Sequence, residues 1–361
     1  MKIHFETVID GQGNAYGYSN LNKQLRKRLV SFVDSESPVA LSIIPADKFK
    51  PVEGKYNVLF TMWETNELPQ CYIDGLAKAD EIIVPSTHNR DLFRKYTSKK
   101  VSVCHLGVDT DVFKFKAREY LGGTFRVLWL GAPNPRKGYH VILELIKGLE
   151  KFKHIEFYLK TTVPKVDYPA QLEAYEQAAK DMGEANHRRF KELIESGVKP
   201  DPLNGLFKRM GKNENVVMDM RDLPINELID LYHSAHMFIL PSLGEGWGLT
   251  LSEAMATGCP CIATRMTGTA DFFSESVGYE IDWDYKPVEM EYYKLKANVI
   301  IPRTNSTLAR FMEAYNDYRG AIQRGIKASR LINDKFTWDK TAKRLLEILS
   351  QIQINKEQVA A

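Results

Sequence analysis

The run Met237, Phe238, Ile239, Leu240 breaks at Pro241 and Ser242, passes Gly244, Gly246 and Gly248, and resumes as a helix-favouring segment from Thr250 to Thr257. A strand, a glycine loop and a helix in immediate succession constrain the chain strongly, because such a unit belongs in an open, mostly parallel sheet. The junction also has a chemistry. Glycine lets backbone N–H groups approach a ligand, and the first turn of a helix carries unpaired donors and partial positive charge, so a phosphate fits there. Glu245 in the loop and Glu253 in the helix bracket the turn. Neither suits a bare phosphate. A carboxylate can accept two hydrogen bonds from a vicinal diol, so hydroxyl-rich groups are expected on both sides of the phosphate.

The same alternation runs through the chain. Strands are predicted over Lys2 to Ile9, Val39 to Ile44, Asn57 to Met62, Glu81 to Pro85 and Val101 to Val103. Helices are predicted over Asn20 to Phe32, capped by Ser19 or Asn20, then Gln70 to Ala77 and Thr87 to Tyr96. After a turn-rich segment, His105 to Phe113, the pattern restarts with strands Phe125 to Leu130, Ile155 to Lys160, Asn215 to Met218, Met237 to Leu240 and Pro260 to Ala263. Tyr139 to Phe152 and Ile225 to Ser234 read as helices between them, and Ser306 to Tyr318 with Asp339 to Ile352 as terminal helices. Asp167 to Lys212 is a polar, helix-favouring excursion, and Tyr285 to Pro302 is an aromatic and charged insertion in which the alternation lapses. A length of 361 residues suits two such domains. The expected class is α/β, two Rossmann-like parallel-sheet domains.

Composition excludes several classes. With 44% hydrophobic and 26% charged residues and a net charge of +3, the chain reads as an ordinary globular protein that needs no polyanionic partner. Two clusters, Arg26, Lys27, Arg28 and Arg94, Lys95, Lys99, Lys100, could make a basic face. Cys71, Cys104, Cys259 and Cys261 lie at no zinc-like spacing and read as reduced core thiols. No apolar run is long enough for a membrane span and no signal-peptide pattern opens the sequence, so a cytoplasmic location is expected.

Further motifs compete for function. Gly11, Gly13 and Gly17, after a strand and before a helix, resemble a dinucleotide fingerprint, which would suit a nicotinamide-dependent oxidoreductase. Arg136 and Lys137 close the loop GAPNPRKG. Ligands of parallel sheets sit beyond the carboxyl ends of the strands, so this loop and the one after Leu240 can meet, and the two cations could clamp a diphosphate. The pairs Asp282, Asp284 and Asp109, Asp111 imitate a metal-binding DxD, but such short patterns are common by chance. His233 and His236 find no third ligand nearby and read as structural.

In combination these features resemble a known family. EGWGLTLSE is similar to the E-x7-E motif of retaining glycosyltransferases of the GT-B fold, family 4, and SEAMATGCPCIAT continues that pattern. GAPNPRKG resembles the family's phosphate loop, HLGVDTDVF its linker and ADEIIVPS the strand ahead of it. The resemblance covers most of the chain outside Asp167 to Lys212 and Tyr285 to Pro302. It implies an N-terminal acceptor-side domain over residues 1–116, a C-terminal domain over 117–335 that binds the sugar nucleotide, and a last helix over 336–361 returning to the first.

The resemblance also implies roles. Glu253 would hold the ribose hydroxyls, Glu245 the hydroxyls of the transferred sugar, and backbone donors of Gly246, Trp247, Gly248, Leu249 and Thr250 the phosphates. Arg136 and Lys137 would neutralise the departing diphosphate, so no metal or further cofactor is required. Ala132 stands where many members carry arginine, which leaves that role to Arg136. FTMWETNELP lacks the histidine many members use near the sugar, and Glu64 is the substitute expected there. Gly13, Asn14 and Gly17 would face the nucleotide across the cleft, with Tyr16 and Tyr18 near the diphosphate or acceptor. The Trp247 ring could stack on a base or acceptor, or cover the loop. The expected donor is a UDP-sugar, or else a GDP-sugar. The acceptor hydroxyl would lie on a glycan, a lipid headgroup or a modified DNA base. A sugar-nucleotide binder without turnover is the third function class.

Overall fold

The computed structural model describes residues 2–6, 16–132, 135–161, 215–219, 221–290 and 295–353, with a few isolated positions between 176 and 195. In the N-terminal half five parallel strands lie side by side in chain order: β1 (His4–Phe5), β2 (Val39–Ile43), β3 (Tyr56–Phe60), β4 (Glu81–Val84) and β5 (Val101–Val103). Every residue of β2 and β4 is buried, as expected of strands covered on both faces by crossover helices. Those helices are α1 (Tyr16–Leu29), α2 (Gln70–Lys78) and α3 (Thr87–Phe93).

The second sheet holds β6 (Phe125–Leu130), β7 (Ile155–Lys160), β8 (Val216–Asp219), β9 (Met237–Leu240), β10 (Cys261–Ala263) and β11 (Tyr279–Glu280). All are parallel, in the order β11-β10-β9-β6-β7-β8. The order reverses between β6 and β9. The loops leaving these two strands border a crevice at the strand ends there. Helices α4 (Tyr139–Gly148), α5 (Ile225–Ser234), α6 (Leu249–Ala256), α7 (Thr304–Asn316) and α8 (Tyr318–Lys335) flank this sheet, and α9 (Trp338–Ser350) follows.

Three sequence expectations are corrected, and one helix went unread in the sequence. Helix α1 begins at Tyr16, so neither Ser19 nor Asn20 caps it; Asn22, inside it, donates from Nδ2 to the carbonyls of Tyr18 and Ile43, both at 3.1 Å. Helix α6 begins one residue early, at Leu249. The insertion is an antiparallel hairpin of β12 (Trp283–Met290) and β13 (Leu295–Pro302), in register from Trp283↔Pro302 to Met290↔Leu295. Ala297, Val299 and Ile300 of its inner strand are buried while the outer strand is exposed, so no simple alternation marks it. Helix α8 escapes a periodicity reading because it is polar and contains Gly320 and Gly325; the Asp317 carboxylate starts it by accepting from the Gly320 N–H at 3.0 Å.

Helix α9 buries Trp338, Ala342, Leu345, Ile348 and Leu349 and packs on α1 of the first domain. Val108 pairs with Thr337 as the two crossing segments pass. One contiguous apolar core therefore takes in Leu21 and Leu25 of α1, Leu251 and Met255 of α6, and Trp338 and Leu345 of α9. Among the described residues no helix is long and apolar enough to cross a membrane.

Candidate functional site

The loops after β6 and β9 meet at the crevice. Gly138, at φ +70°, lies where an added Cβ would fall 1.8 Å from the Pro241 carbonyl oxygen, so only glycine allows the two loops to touch. The Leu243 N–H donates to the Arg136 carbonyl at 2.7 Å and Arg136 Nη1 to the Gly244 carbonyl at 2.5 Å. Lys137 Nζ reaches both oxygens of Glu245, at 2.7 and 2.9 Å, with Arg136 Nη1 3.5 Å from the same carboxylate. The cations predicted to act on a diphosphate thus converge on the predicted sugar-binding carboxylate. Gly138→Ala is expected to separate the loops, because a positive-φ position filled by a β-carbon facing backbone cannot relax. The melting midpoint should fall by an amount equivalent to about 1–3 kcal/mol, read by thermal melts.

The charge states follow from burial and neighbours. Burial alone would raise the Glu245 carboxyl, but Lys137 and Arg136 outweigh it and hold it below its ordinary value. Burial lowers the Lys137 ammonium, and the attraction of Glu245 only partly offsets this. Glu253, 4% exposed in α6, has no cation beside it among the described residues. Burial pushes its carboxyl up to about 7, although the Tyr232 hydroxyl donates to it at 2.9 Å and opposes the shift. The two carboxylates of one motif therefore sit in opposite electrostatic settings.

Helix α6 opens at Gly248, and its first N–H groups have no intrahelical partner. Gly246 and Gly248 are buried, Leu249 and Thr250 half-buried, and the Thr250 hydroxyl is a buried donor without a partner among the described residues. This end suits an anionic ligand. The Trp247 ring faces away from it. It is 2% exposed and packs 4.7 Å from Phe272, 5.2 Å from His105 and 5.5 Å from Phe336, so it covers the loop and does not present a stacking face.

The first domain supplies the opposite wall. A Cβ on Gly244 would lie 2.2 Å from the Glu64 carbonyl, so the loop backbone presses directly on the strand-end segment carrying Glu64. The Glu64 carboxylate is 3.6 Å from Arg136 Nη2. Gly13 and Asn14 lie outside the described residues, as does the Tyr16 side chain. Gly17 lies within α1, with no atom of the described residues within 4 Å of where its β-carbon would be, whereas the last glycine of a dinucleotide fingerprint is needed for close helix–strand packing. The Tyr18 hydroxyl bonds Thr61 Oγ1 at 3.1 Å and accepts from the Met62 N–H at 2.9 Å, supporting the cleft wall.

Two supporting residues escaped the sequence reading. The Thr267 hydroxyl donates to the Glu245 carbonyl at 2.8 Å, and Tyr232 orients Glu253. Thr267 follows β10, the strand next to β9, so the rule that ligands gather beyond strand ends would have flagged it; Tyr232, inside an amphipathic helix, gives no such signal. The decoys are occupied otherwise. Asp284 pairs with Arg303, Asp109 lies 3.9 Å from Arg28, His233 faces the Lys114 carbonyl at 2.9 Å, and His236 accepts from the Arg126 N–H at 3.0 Å. Among the described residues no three His, Cys, Asp or Glu side chains group around a possible ion.

Residues 113–283 match the model of the family described as glycosyl transferases group 1. A D-inositol 3-phosphate glycosyltransferase of Corynebacterium aurimucosum is 27% identical over 230 residues, 60% of this chain and 48% of that protein. A sucrose synthase of Melioribacter roseus is 31% identical over 114 residues, 31% of this chain and 12% of that one. The matches thus span less than half the length of these two relatives. Among solved structures, HepE of Anabaena in complex with UDP and glucose superposes with a TM-score of 0.65 at 13% identity, covering 98% of this chain and 100% of that one. Sucrose-phosphate synthase of Thermosynechococcus elongatus gives 0.59 at 15% identity, covering 96% and 80%. At such identities the structural likeness establishes the fold, two Rossmann-like domains facing across a cleft.

Proposed function

Over residues 113–283 this chain carries a domain of the glycosyl transferases group 1 family, and from that premise we propose that it is a retaining, metal-independent glycosyltransferase of family 4. Its donor would be a nucleoside-diphosphate sugar, UDP-linked by first choice and GDP-linked by second. The observation that carries this reading is the convergence of Arg136, Lys137 and the N-terminus of α6 around Glu245 at the point where the strand order reverses.

In this reading negative charge grows on the diphosphate as the bond to the sugar breaks. Lys137, Arg136 and the α6 donors, already fixed by the loops, stabilise that charge without reorganising. Glu245 accepts hydroxyls of the transferred sugar and Glu253 those of the ribose. Glu64, on the facing wall, accepts a hydroxyl of the sugar or acceptor. The acceptor attacks from the face the diphosphate leaves, and the diphosphate takes its proton. The four thiols are unpaired and three are buried, which fits a reducing, cytoplasmic setting.

The acceptor classes separate on charge. Arg26 donates to the carbonyls of Phe5 and Glu6, Arg28 pairs with Asp339 at 2.5 Å, Lys99 donates to the carbonyls of Ala77 and Ala79, and Lys100 pairs with Glu81 at 3.0 Å. Four of the seven cations of the two clusters are thus engaged internally and Lys27, Arg94 and Lys95 stay exposed, a sparse track for a polyanion, so a small hydroxyl-bearing acceptor, a glycan or sugar phosphate, is favoured over DNA. Transfer is then expected to change by no more than about threefold between about 50 and 200 mM salt, whereas a DNA acceptor held at several phosphates would lose orders of magnitude. The primary test is a thermal-shift panel of sugar nucleotides followed by mass spectrometry of products from mixed acceptors. Stabilisation without turnover would leave a silent binder; reduced-nicotinamide fluorescence rising on titration would point to an oxidoreductase.

A further inference from the structure

A five-residue 3-10 turn, Thr267–Asp271, touches both walls of the cleft. Thr267, at φ +43°, is the one non-glycine residue in the left-handed region among the described residues. A β-branched residue keeps that conformation only where its surroundings over-determine it, and such sites cluster at functional centres. Here the surroundings are the Glu245 peptide. The Thr267 hydroxyl donates to the Glu245 carbonyl at 2.8 Å and accepts from the Glu245 N–H at 3.0 Å, and the Gly268 N–H donates to the same carbonyl at 2.9 Å. The main chain of Glu245 is thus held on both sides by this turn.

The far end of the turn belongs to the other domain's business. The Asp271 carboxylate, 10% exposed, accepts from the N–H and the hydroxyl of Thr87, at 2.7 and 2.9 Å, and lies 3.0 Å from His105 Nε2 in the linker. Thr87 is the first residue of α3, so a carboxylate of the C-terminal domain completes the N-terminus of a helix in the N-terminal domain, where negative charge is favoured. Burial would raise the Asp271 carboxyl, but the bonds from His105 and Thr87 prevail and hold it below its ordinary value. Such a contact forms only with the two domains together, as in hinge closure around a ligand.

We propose that Asp271 is a positioning residue: by capping α3 across the cleft it fixes the Thr267–Asp271 turn, and so makes the placement of Glu245 conditional on domain closure. The inference rests on reading Glu245 as the sugar-binding carboxylate. It differs from an ordinary structural role because its partner, Thr87, lies 184 residues away in the other domain.

The test compares the full-length chain with Asp271→Asn, Thr87→Val and the double variant. Closure is followed by fluorescence energy transfer between Cys71, the exposed thiol on α2, and a cysteine introduced at the exposed Lys147 of α4; Cys104, Cys259 and Cys261 are buried. Asp271→Asn is expected to lower kcat by about tenfold or more while UDP affinity stays within about threefold, since the groups assigned to the diphosphate and ribose, Arg136, Lys137, Glu253 and the α6 donors, lie in the C-terminal domain. The closed population with UDP bound should shrink in parallel. Thr87→Val should act in the same direction more weakly, and the double variant should be no worse than Asp271→Asn, the signature of a shared contact. Unchanged kcat, UDP affinity falling in step with kcat, or effects of the two positions that simply multiply would each overturn the proposal. Should the wild-type chain transfer no sugar, the reading of the site falls, and the energy-transfer arm still judges the clasp: a closed population untouched by Asp271→Asn rejects it.

Discussion

Lys137→Met is expected to lower kcat/KM for sugar transfer by about 10²- to 10³-fold, the usual consequence of deleting one preorganised group that faces developing charge. The Lys137 side chain is 16% exposed, and its ammonium bridges both oxygens of Glu245. Its removal has a second effect. Glu245, 6% exposed at the side chain, would retain Arg136, at 3.5 Å, as its one cationic neighbour among the described residues. Breaking a buried pair from one side costs about 3–5 kcal/mol of stability, so lost activity could reflect lost fold. The double variant Lys137→Met, Glu245→Gln separates the two. With neither charge present, the melting temperature should return most of the way to wild type, because an uncompensated charge no longer has to be buried. Transfer should remain lost, since both the diphosphate cation and the sugar carboxylate are gone. Recovery of turnover together with stability would show that the pair is architectural, and calorimetric melts beside single-turnover assays distinguish the cases.

The second large effect concerns Glu253 and pH. Its folded carboxyl titrates near 7 against an ordinary 4.5. The folded chain therefore holds a proton that the unfolded chain has released over this window, and stability falls as pH rises from about 4.5 to 7 and is level above it. The loss amounts to about 3 kcal/mol. Glu253→Gln, which cannot ionise, is expected to melt higher than wild type above neutral pH and about equally near pH 4.5. Nucleotide binding has the opposite dependence. Ribose hydroxyls donating to the carboxylate favour its charged form, so binding releases a proton and affinity for UDP rises with pH up to about 7, then levels. Calorimetry near pH 6 in two buffers of different ionisation enthalpy should register that proton for wild type and none for Glu253→Gln, whose affinity is weaker at every pH. A wild-type affinity independent of pH would remove Glu253 from the ribose.

Much of this site is legible before folding. The strand ends at Leu130 and Leu240, the glycine loops and the helix beyond them are local features, written in apolar runs and in residues that permit unusual backbone. Other elements resist for physical reasons. The hairpin over Trp283–Met290 and Leu295–Pro302 hides because its inner strand alone is buried, and α8 hides because a polar, glycine-containing helix is stabilised by its cap and its packing. Arg26 and Arg28 look like a basic face in sequence, yet their partners are carbonyls and a carboxylate supplied from afar. Tyr18 could not be assigned to the cleft wall without knowing that Met62 lies against it.

Local pattern along the chain is enough for the two sheets and the loops at their crevice, and it names the candidate groups: two cations, two carboxylates and a helix N-terminus. How those groups stand to one another is settled by folding. It set Lys137 against Glu245, left Glu253 with a tyrosine, and tied Asp271 to Thr87. The reason is that charge state and partnership depend on distance and burial. Those are properties of contacts between residues more than a hundred positions apart, which the local pattern of a chain does not encode.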